Sequence, residues 1–169
     1  MRPGKPVEKG PITLRPVEEE DRELLYQIFA STRVAEMETL AWSGEATEAF
    51  LRMQFDAQIR HYRQQYQQAE MSIVSLGPAP VGRLYVERRA DEIRVVDIAL
   101  LPDHRGDGIG GELMRRVLAE GRATGKPVRI QVERNNRALS FYRRLGFRVI
   151  QDGDVYHLME WLPDCPATP

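Results

Sequence analysis

The sequence predicts an α/β domain built on a mixed sheet, with the element order β-α-α-β-β-β-α-β-α-β-β. Three apolar segments, 71–76, 81–88 and 92–101, follow one another with no room for helices between them, which indicates an antiparallel meander. A glycine-rich turn then joins the third segment to a helical pattern and a further strand. A strand–helix–strand crossover leaves its two strands parallel. The sheet is therefore expected to contain both kinds of pairing.

The first third of the chain is predicted to hold one strand and two helices. Alternating residues at 11–16 predict the strand, which Pro16 ends. An acidic run, Glu18 to Asp21, favours the start of the first helix. The segment 32–44 is less regular. Ser43 is expected to cap a long second helix, whose buried stripe is formed by Leu51, Phe55, Ile59, Tyr62 and Tyr66.

The second half of the chain begins with a helix after the glycine-rich turn. Ile109, Leu113 and Val117 share one face of this helix, and Gly121 and Gly125 are candidate C-terminal ends. The remaining elements are predicted to be a strand, a short helix and a closing hairpin, at 128–132, 138–145, 147–151 and 155–161.

Length and charge limit the possible classes of protein. The chain has 169 residues, enough for one domain with a real core, and its net charge of −1 gives no electrostatic basis for a nucleic-acid or membrane partner. No apolar run approaches the roughly 20 residues that span a bilayer. We expect a single domain at 11–161, between a loose arm at 1–10 and a Pro-rich tail at 162–169. The one cysteine, Cys165, cannot form an internal disulfide, which fits the cytoplasm.

The glycine-rich turn is predicted to bind a phosphate. Glycines allow the backbone to approach an anion and to adopt positive φ. The amides of a first helical turn, together with the helix dipole, favour negative charge. The candidate phosphate-binding residues are Arg105, Gly106, Asp107, Gly108, Ile109, Gly110 and Gly111.

Two interpretations of this turn compete. The spacing Gly106-x-Gly108-x-x-Gly111 matches the dinucleotide fingerprint, and Glu133 follows about 20 residues later. That motif begins at the very end of a strand, however, whereas residues 102–105 intervene here, and its fold needs further strand–helix units. The spacing Arg105-x-x-Gly108-x-Gly110, within the segment 100–110, instead resembles the pyrophosphate-binding signature of the GCN5-related N-acetyltransferase (GNAT) superfamily.

A second segment strengthens this resemblance. Residues 135–147, Asn-Asn-Arg-Ala-Leu-Ser-Phe-Tyr-Arg-Arg-Leu-Gly-Phe, resemble the superfamily's Asn-x-x-Ala-x-x-Phe/Leu-Tyr-x-Lys-x-Gly-Phe block, with Arg144 in place of the commoner Lys. The resemblance covers about residues 11–161. It implies the GNAT fold and an acetyl-CoA-dependent N-acetyltransferase, in which a primary amine attacks the thioester directly in a ternary complex.

The resemblance also implies roles for individual residues. Tyr142 would contact the cofactor and protonate the departing coenzyme A thiolate; a phenol with an ordinary pKa near 10 keeps its proton at pH 7. The alternative for Tyr142 is a core aromatic. Asn135 would bind the pantetheine arm, cap the following helix, or do both. Arg144 would lie near the cofactor phosphates. A strand bulge would free backbone groups for the cofactor at Ala99, Leu100 and Leu101.

The acceptor side of the site is less clear from the sequence. A carboxylate, directly or through water, is expected to take protons from the amine. The candidates are Glu36 and Glu38, between the first two helices, and Asp97, which has apolar neighbours in sequence. The acceptor, a small-molecule or peptide amine, is not identified because the segment 32–44 that would line its site carries little pattern. No cluster has metal-ligand spacing, so no metal is predicted.

Other functions and assemblies stay open at this point. A non-catalytic acyl-CoA-binding or regulatory domain on the same fold would keep the phosphate site but need no general acid. The dinucleotide-binding domain is the other alternative. The closing hairpin is a candidate edge for a homodimer.

Overall fold

The computed structural model describes residues 10–164; most of the predicted arm at 1–10 and of the predicted tail at 162–169, including Cys165, lies outside them. The described part holds seven strands and five α-helices. In chain order they are β1 Ile12–Pro16, α1 Arg22–Ser31, α2 Val34–Glu38, α3 Gly44–Gln65, β2 Glu70–Leu76, β3 Ala79–Arg88, β4 Ile93–Leu100, α4 Ile109–Thr124, β5 Val128–Glu133, α5 Leu139–Arg144, β6 Arg148–Asp152 and β7 Tyr156–Trp161.

The strands form one sheet in the order β1-β2-β3-β4-β5-β7-β6. Only β4 and β5 pair in parallel among the described strands, and the other neighbours are antiparallel. The predicted α/β class with a mixed sheet is therefore confirmed. A doubly wound domain, the framework of the dinucleotide interpretation, needs a run of parallel strands that this sheet lacks.

The core has two parts because helices cover both faces of the sheet. Side chains alternate between faces along a strand, so neighbouring residues of β3 join different clusters. Leu84 packs with α4 and with β5 and β7, whereas Tyr85 packs with α1 and α3. Phe29 and Phe55, both almost fully buried, anchor α1 and α3 against this second face.

Two local features differ from the sequence-based expectation. Helix α2 lies within the segment 32–44; none of its five residues is buried, which explains the absence of an apolar period. Gly121 does not end α4, which continues to a C-cap at Gly125 with φ +67°. A Cβ at Gly121 would lie 3.0 Å from the Trp161 ring, so this glycine lets the helix pack closely on the sheet.

The parallel contact between β4 and β5 is short. It consists of three residue pairs, which begin at Ile93–Val128 and end at Val95–Ile130. Beyond them β4 runs on to Leu100 and β5 to Glu133 without pairing with each other. A gap therefore opens between two neighbouring strands in the middle of the sheet.

The bulge in β4 lies upstream of the place that the sequence suggested. Tyr85 pairs with Asp97 and Val86 with Val95, so Val96 is the extra residue. Ala99 and Leu100, where the bulge was expected, pair regularly with β3. That expectation was wrong because Gly82 permits close strand contact there: a Cβ on Gly82 would collide with the carbonyl oxygen of Ala99.

Candidate active site

The gap between β4 and β5 opens into a cleft of about 550 Å³. The two strands line its floor, and residues from the turn after α1 and from α2, α3, α5, β3 and β7 line its walls. The lining includes tyrosines, arginines and carboxylates as well as apolar side chains. The cleft thus combines a site for an extended ligand along the strands with polar groups at one side.

Tyr142 lies on α5 and reaches this cleft. Its ring is 5% exposed and packs edge-on against Phe147, with the ring centroids 5.8 Å apart. Within residues 10–164 its hydroxyl makes no hydrogen bond, yet it is not a buried unpaired group. Burial, with a smaller contribution from the charge of Asp97, raises the pKa of Tyr142 to about 12. The ring is a core aromatic and its neutral hydroxyl is free to donate into the cleft.

Asp97 lies in a polar environment rather than the apolar one that its sequence neighbours suggest. Its Oδ2 forms an ion pair with Nη2 of Arg83 at 2.6 Å, and the Tyr62 hydroxyl donates to the same oxygen at 3.3 Å. These partners come from β3 and α3, because neighbours on a strand point to other faces of the sheet. Asp97 therefore belongs to a network that spans three elements.

The other two candidate carboxylates lie farther out. Glu36 lines the cleft and accepts from Nη1 of Arg33 at 3.2 Å. The same Arg33 nitrogen lies 3.9 Å from Glu133, at the end of β5. Glu38 is exposed at the end of α2 and does not line the cleft. Of the three, Asp97 is the one whose charge contributes to the raised pKa of Tyr142.

The glycine-rich turn has the backbone that an anion site needs. A 3-10 turn at Pro102–His104 leads into it, and Gly106 and Gly108 adopt φ +80° and +83°, which favour glycine. Glu112 is the first residue of α4 whose amide finds a helical acceptor, the Gly108 carbonyl. Among the described residues, no acceptor takes the amide protons of Gly108, Ile109, Gly110 or Gly111. These donors lie at the positive end of a 16-residue helix.

Arg105 is held in a structural role within this turn. Its amide donates to the Pro102 carbonyl at 3.2 Å, so the expectation that this amide is available to an anion was wrong. The closing of the 3-10 turn is the reason. Its side-chain Nε donates to the Leu100 carbonyl at 2.9 Å, and Nη2 donates to Ser31 Oγ at 3.1 Å. Arg105 thereby ties the turn to the ends of β4 and α1.

Ala99, Leu100 and Leu101, whose backbone groups were expected to bind the cofactor, have different surroundings. Ala99 lines the cleft, together with its neighbour Ile98. The Leu100 carbonyl is occupied by Arg105, and its side chain packs on the core. The Leu101 amide donates to the Val81 carbonyl at 2.8 Å. Ala99 is therefore the one of the three that faces the gap.

The residues before α5 require a correction of one position. Asn136, not Asn135, makes the side-chain hydrogen bond in the turn before α5: its Oδ1 accepts from the amide of Ala138, the N-cap of α5, at 2.9 Å, and it lines the cleft. Asn135 is exposed and lines a separate cleft of about 320 Å³ with Asp154. The capping interpretation of Asn135 was wrong because the chain turns one residue later. Arg144 is exposed in the last turn of α5.

Sequence reasoning missed several residues of the cleft. Tyr62 was assigned to the apolar stripe of α3, yet its hydroxyl reaches Asp97. Gln58 and His61 lie beside it on the same helix and also line the cleft. Arg83 is 3% exposed inside an apolar strand. A buried arginine needs a partner, and this was the available signal.

Two further observations apply to residues 10–164. No group of three or more His, Cys, Asp or Glu side chains in this range is arranged to hold a metal ion. No helix in the same range combines the length and apolarity that crossing a bilayer requires.

Comparisons with known proteins bear on the type of domain and on the fold. A sequence model of the acetyltransferase (GNAT) domain matches residues 69–149, which include β3, β4, the glycine-rich turn and α5. No curated protein matches the chain in sequence.

Solved structures share the fold at low sequence identity. The PaiA N-acetyltransferase from Thermoplasma acidophilum, solved in complex with coenzyme A, superposes with a TM-score of 0.68 at 20% identity and covers 90% of this chain and 99% of its own. An acetyltransferase from Thermus thermophilus superposes with a TM-score of 0.64 at 23% identity and covers 89% of this chain and 96% of its own. The chain thus has the same fold as these proteins.

Proposed function

We propose that this chain, which is a member of the GNAT superfamily by its matched domain and its fold, transfers the acetyl group of acetyl-CoA to a primary amine in a ternary complex. One observation carries the proposal above all. Amides at the start of α4, unpaired within residues 10–164, lie just past the end of β4, and a protonated tyrosine and a carboxylate line the gap beside β4. A thioester held along this gap would have a proton donor and a proton acceptor within one cleft.

The residues of the chain fit the cofactor in two places. The amides of Gly108 to Gly111 are suited to a pyrophosphate, because no acceptor in the described part of the chain takes their protons and they lie in the field of the helix dipole. The β4 backbone at Ile98 and Ala99 borders the gap that β5 leaves unpaired, and suits the amide groups of a pantetheine arm. When bound, acetyl-CoA supplies the activated acyl group.

Tyr142 and Asp97 are proposed to manage the protons. Tyr142 would donate its proton to the departing sulfur, and Asp97 would receive the proton of the amine. The two groups are coupled, because the charge of Asp97 contributes to the raised pKa of Tyr142. Protonation of Asp97 removes that charge and makes the phenol a better donor at the moment when the sulfur departs. We favour Asp97 over Glu36 and Glu38 on these grounds.

A ligand titration followed by an activity assay tests the proposed function. We expect acetyl-CoA, but not NAD, to raise the melting temperature, because bound ligand stabilises the folded state. We then expect free-thiol release when an amine panel is added. Stabilisation by NAD and not by acetyl-CoA would favour the dinucleotide interpretation. Binding of acetyl-CoA without thiol release from any amine would favour a non-catalytic acyl-CoA-binding domain.

Replacement of Gly108 by alanine is expected to weaken acetyl-CoA binding. At φ +83° an alanine is strained by about 1 kcal/mol, and relief of that strain would turn the amides away from the ligand. We expect the dissociation constant for acetyl-CoA, measured by calorimetry, to rise about ten-fold.

Gly125 provides a matched control for this substitution. It has φ +67° at the other end of α4, and a Cβ would meet nothing within 4 Å at either glycine. Gly125→Ala should therefore lose similar stability and keep its affinity for acetyl-CoA. Equal affinities in the two variants would argue against a phosphate site at the turn.

A further inference from the structure

We infer that Tyr62 and Arg83 are positioning residues that fix one oxygen of Asp97 and thereby present its other oxygen, Oδ1, to the acceptor amine. This inference rests on the proposed function and adds two residues that neither the motifs nor the comparisons single out. It concerns the acceptor side of the reaction, where the sequence carries the least pattern.

Both contacts to the carboxylate involve the same oxygen. Arg83 Nη2 lies 2.6 Å from Oδ2, and the Tyr62 hydroxyl lies 3.3 Å from it. Within residues 10–164, Oδ1 accepts no hydrogen bond and is not a buried unpaired atom, while 17% of the Asp97 side chain is exposed. The exposed part of the carboxylate therefore includes the unpaired oxygen, and it faces the cleft that Asp97 lines.

The guanidinium is held from a second side. Arg83 lies on β3 with its side chain 4% exposed, and Nη2 also donates to Gln58 Oε1 on α3 at 3.1 Å. Removing either partner of a buried ion pair leaves an uncompensated charge, which is costly. The pair is therefore expected to persist while ligands enter and leave the cleft.

The Tyr62 ring is fixed by packing. It meets the Tyr85 ring edge-on at 5.8 Å between centroids; Tyr85 belongs to the buried cluster of α1 and α3, and the half-buried Tyr62 packs against that cluster. Burial is the main cause that raises the pKa of Tyr62 far above its ordinary value. The hydroxyl thus keeps its proton at neutral pH and donates a hydrogen bond to Oδ2.

This arrangement matters because a carboxylate can rotate about its terminal bond. With Oδ2 held by the ion pair with Arg83 and the hydrogen bond from Tyr62, Oδ1 points in one direction. An acceptor ammonium would donate to Oδ1; the N–H bond breaks, an Oδ1–H bond forms, and the nitrogen keeps its electron pair for the attack. The proton then passes to solvent through the open cleft. Loss of orientation should therefore reduce the chemical step more than cofactor binding.

Tyr62→Phe tests the inference with the smallest change. It removes the hydroxyl and keeps the ring packing. We expect kcat in the free-thiol assay to fall about ten-fold, while the KM for acetyl-CoA and the melting temperature stay near the wild-type values. Tyr26→Phe is the matched control, because Tyr26 is a buried tyrosine of the same cluster that does not line the cleft. We expect it to keep wild-type kcat.

Arg83 supplies a second, independent pair of variants. Arg83→Lys keeps the charge, whereas Arg83→Met keeps only the apolar stem. At equal folded fractions, checked by circular dichroism, we expect the lysine variant to retain about ten-fold more kcat than the methionine variant. A purely structural role would predict equal kcat among molecules that fold.

The possible failures are distinguishable. If the wild-type protein releases thiol with an amine and Tyr62→Phe does so at the same rate, the positioning inference is overturned and the proposed function stands. An equal loss of kcat in Tyr26→Phe would overturn it as well. If the wild-type protein binds acetyl-CoA but releases no thiol with any amine, the proposed function fails, and this inference fails with it.

Discussion

Replacement of Tyr142 by phenylalanine is expected to lower kcat about a hundred-fold with little change in the affinity for acetyl-CoA. The ring stays in the core, and the hydroxyl has no protein partner to lose among the described residues, so stability should be retained. Steady-state rates from free-thiol release and a separate binding titration measure the two effects. An unchanged kcat would remove Tyr142 from the mechanism.

The pH dependence of the wild-type protein gives a related check on Tyr142. With its pKa raised to about 12, the phenol stays almost fully protonated up to about pH 10 and ionises only above that. Turnover should therefore show no alkaline decline from this group between pH 7 and 10.

Tyr156→Phe is a useful control for Tyr142→Phe, because Tyr156 lines the same cleft and is 48% exposed. Its loss of a hydroxyl should leave kcat close to wild type.

Asp97→Asn is expected to reduce both turnover and stability. The amide cannot take up the amine proton, so kcat should fall about a hundred-fold. The substitution also leaves the Arg83 guanidinium buried without a counter-charge, which should cost about 3 kcal/mol of unfolding free energy. Denaturant unfolding monitored by tryptophan fluorescence measures the second effect.

A double substitution separates the two consequences. Arg83→Met in the Asp97→Asn background removes the uncompensated charge, so we expect part of the stability to return while kcat stays low. Since the two residues are in contact, their effects on stability should not be additive. Additive losses, or recovery of turnover in the double variant, would contradict the proposed role of Asp97.

Much of the fold is predictable from the sequence because its signals are local. The three consecutive strands are separated by short turns, and the crossover through α4 makes β4 and β5 parallel. Ser43 caps α3 as expected, with its Oγ accepting from the Ala46 amide at 3.2 Å. Helix α2 was missed because it buries no residue, and the bulge at Val96 was misplaced because it depends on the pairing partner.

The site is predictable only in part, and the reason is again the range of the interactions. Gly106 and Gly108 were identifiable because their positive φ favours glycine at those positions. The cluster around Asp97 combines Tyr62 from α3 and Arg83 from β3, which are distant in sequence and follow no short motif. A contact between separate elements leaves no periodic trace in a single sequence.

The brevity of the parallel contact has a consequence for how the molecule melts. Three residue pairs join strands β1–β4 to strands β5, β7 and β6. Helix α4 also connects these two parts of the sheet, because it packs on strands of both. The contact between β4 and β5 is therefore the weakest strand pairing in the described sheet. A ligand bound in the gap would contact both parts of the sheet. We therefore expect the two parts to unfold together when the ligand is bound, instead of one after the other.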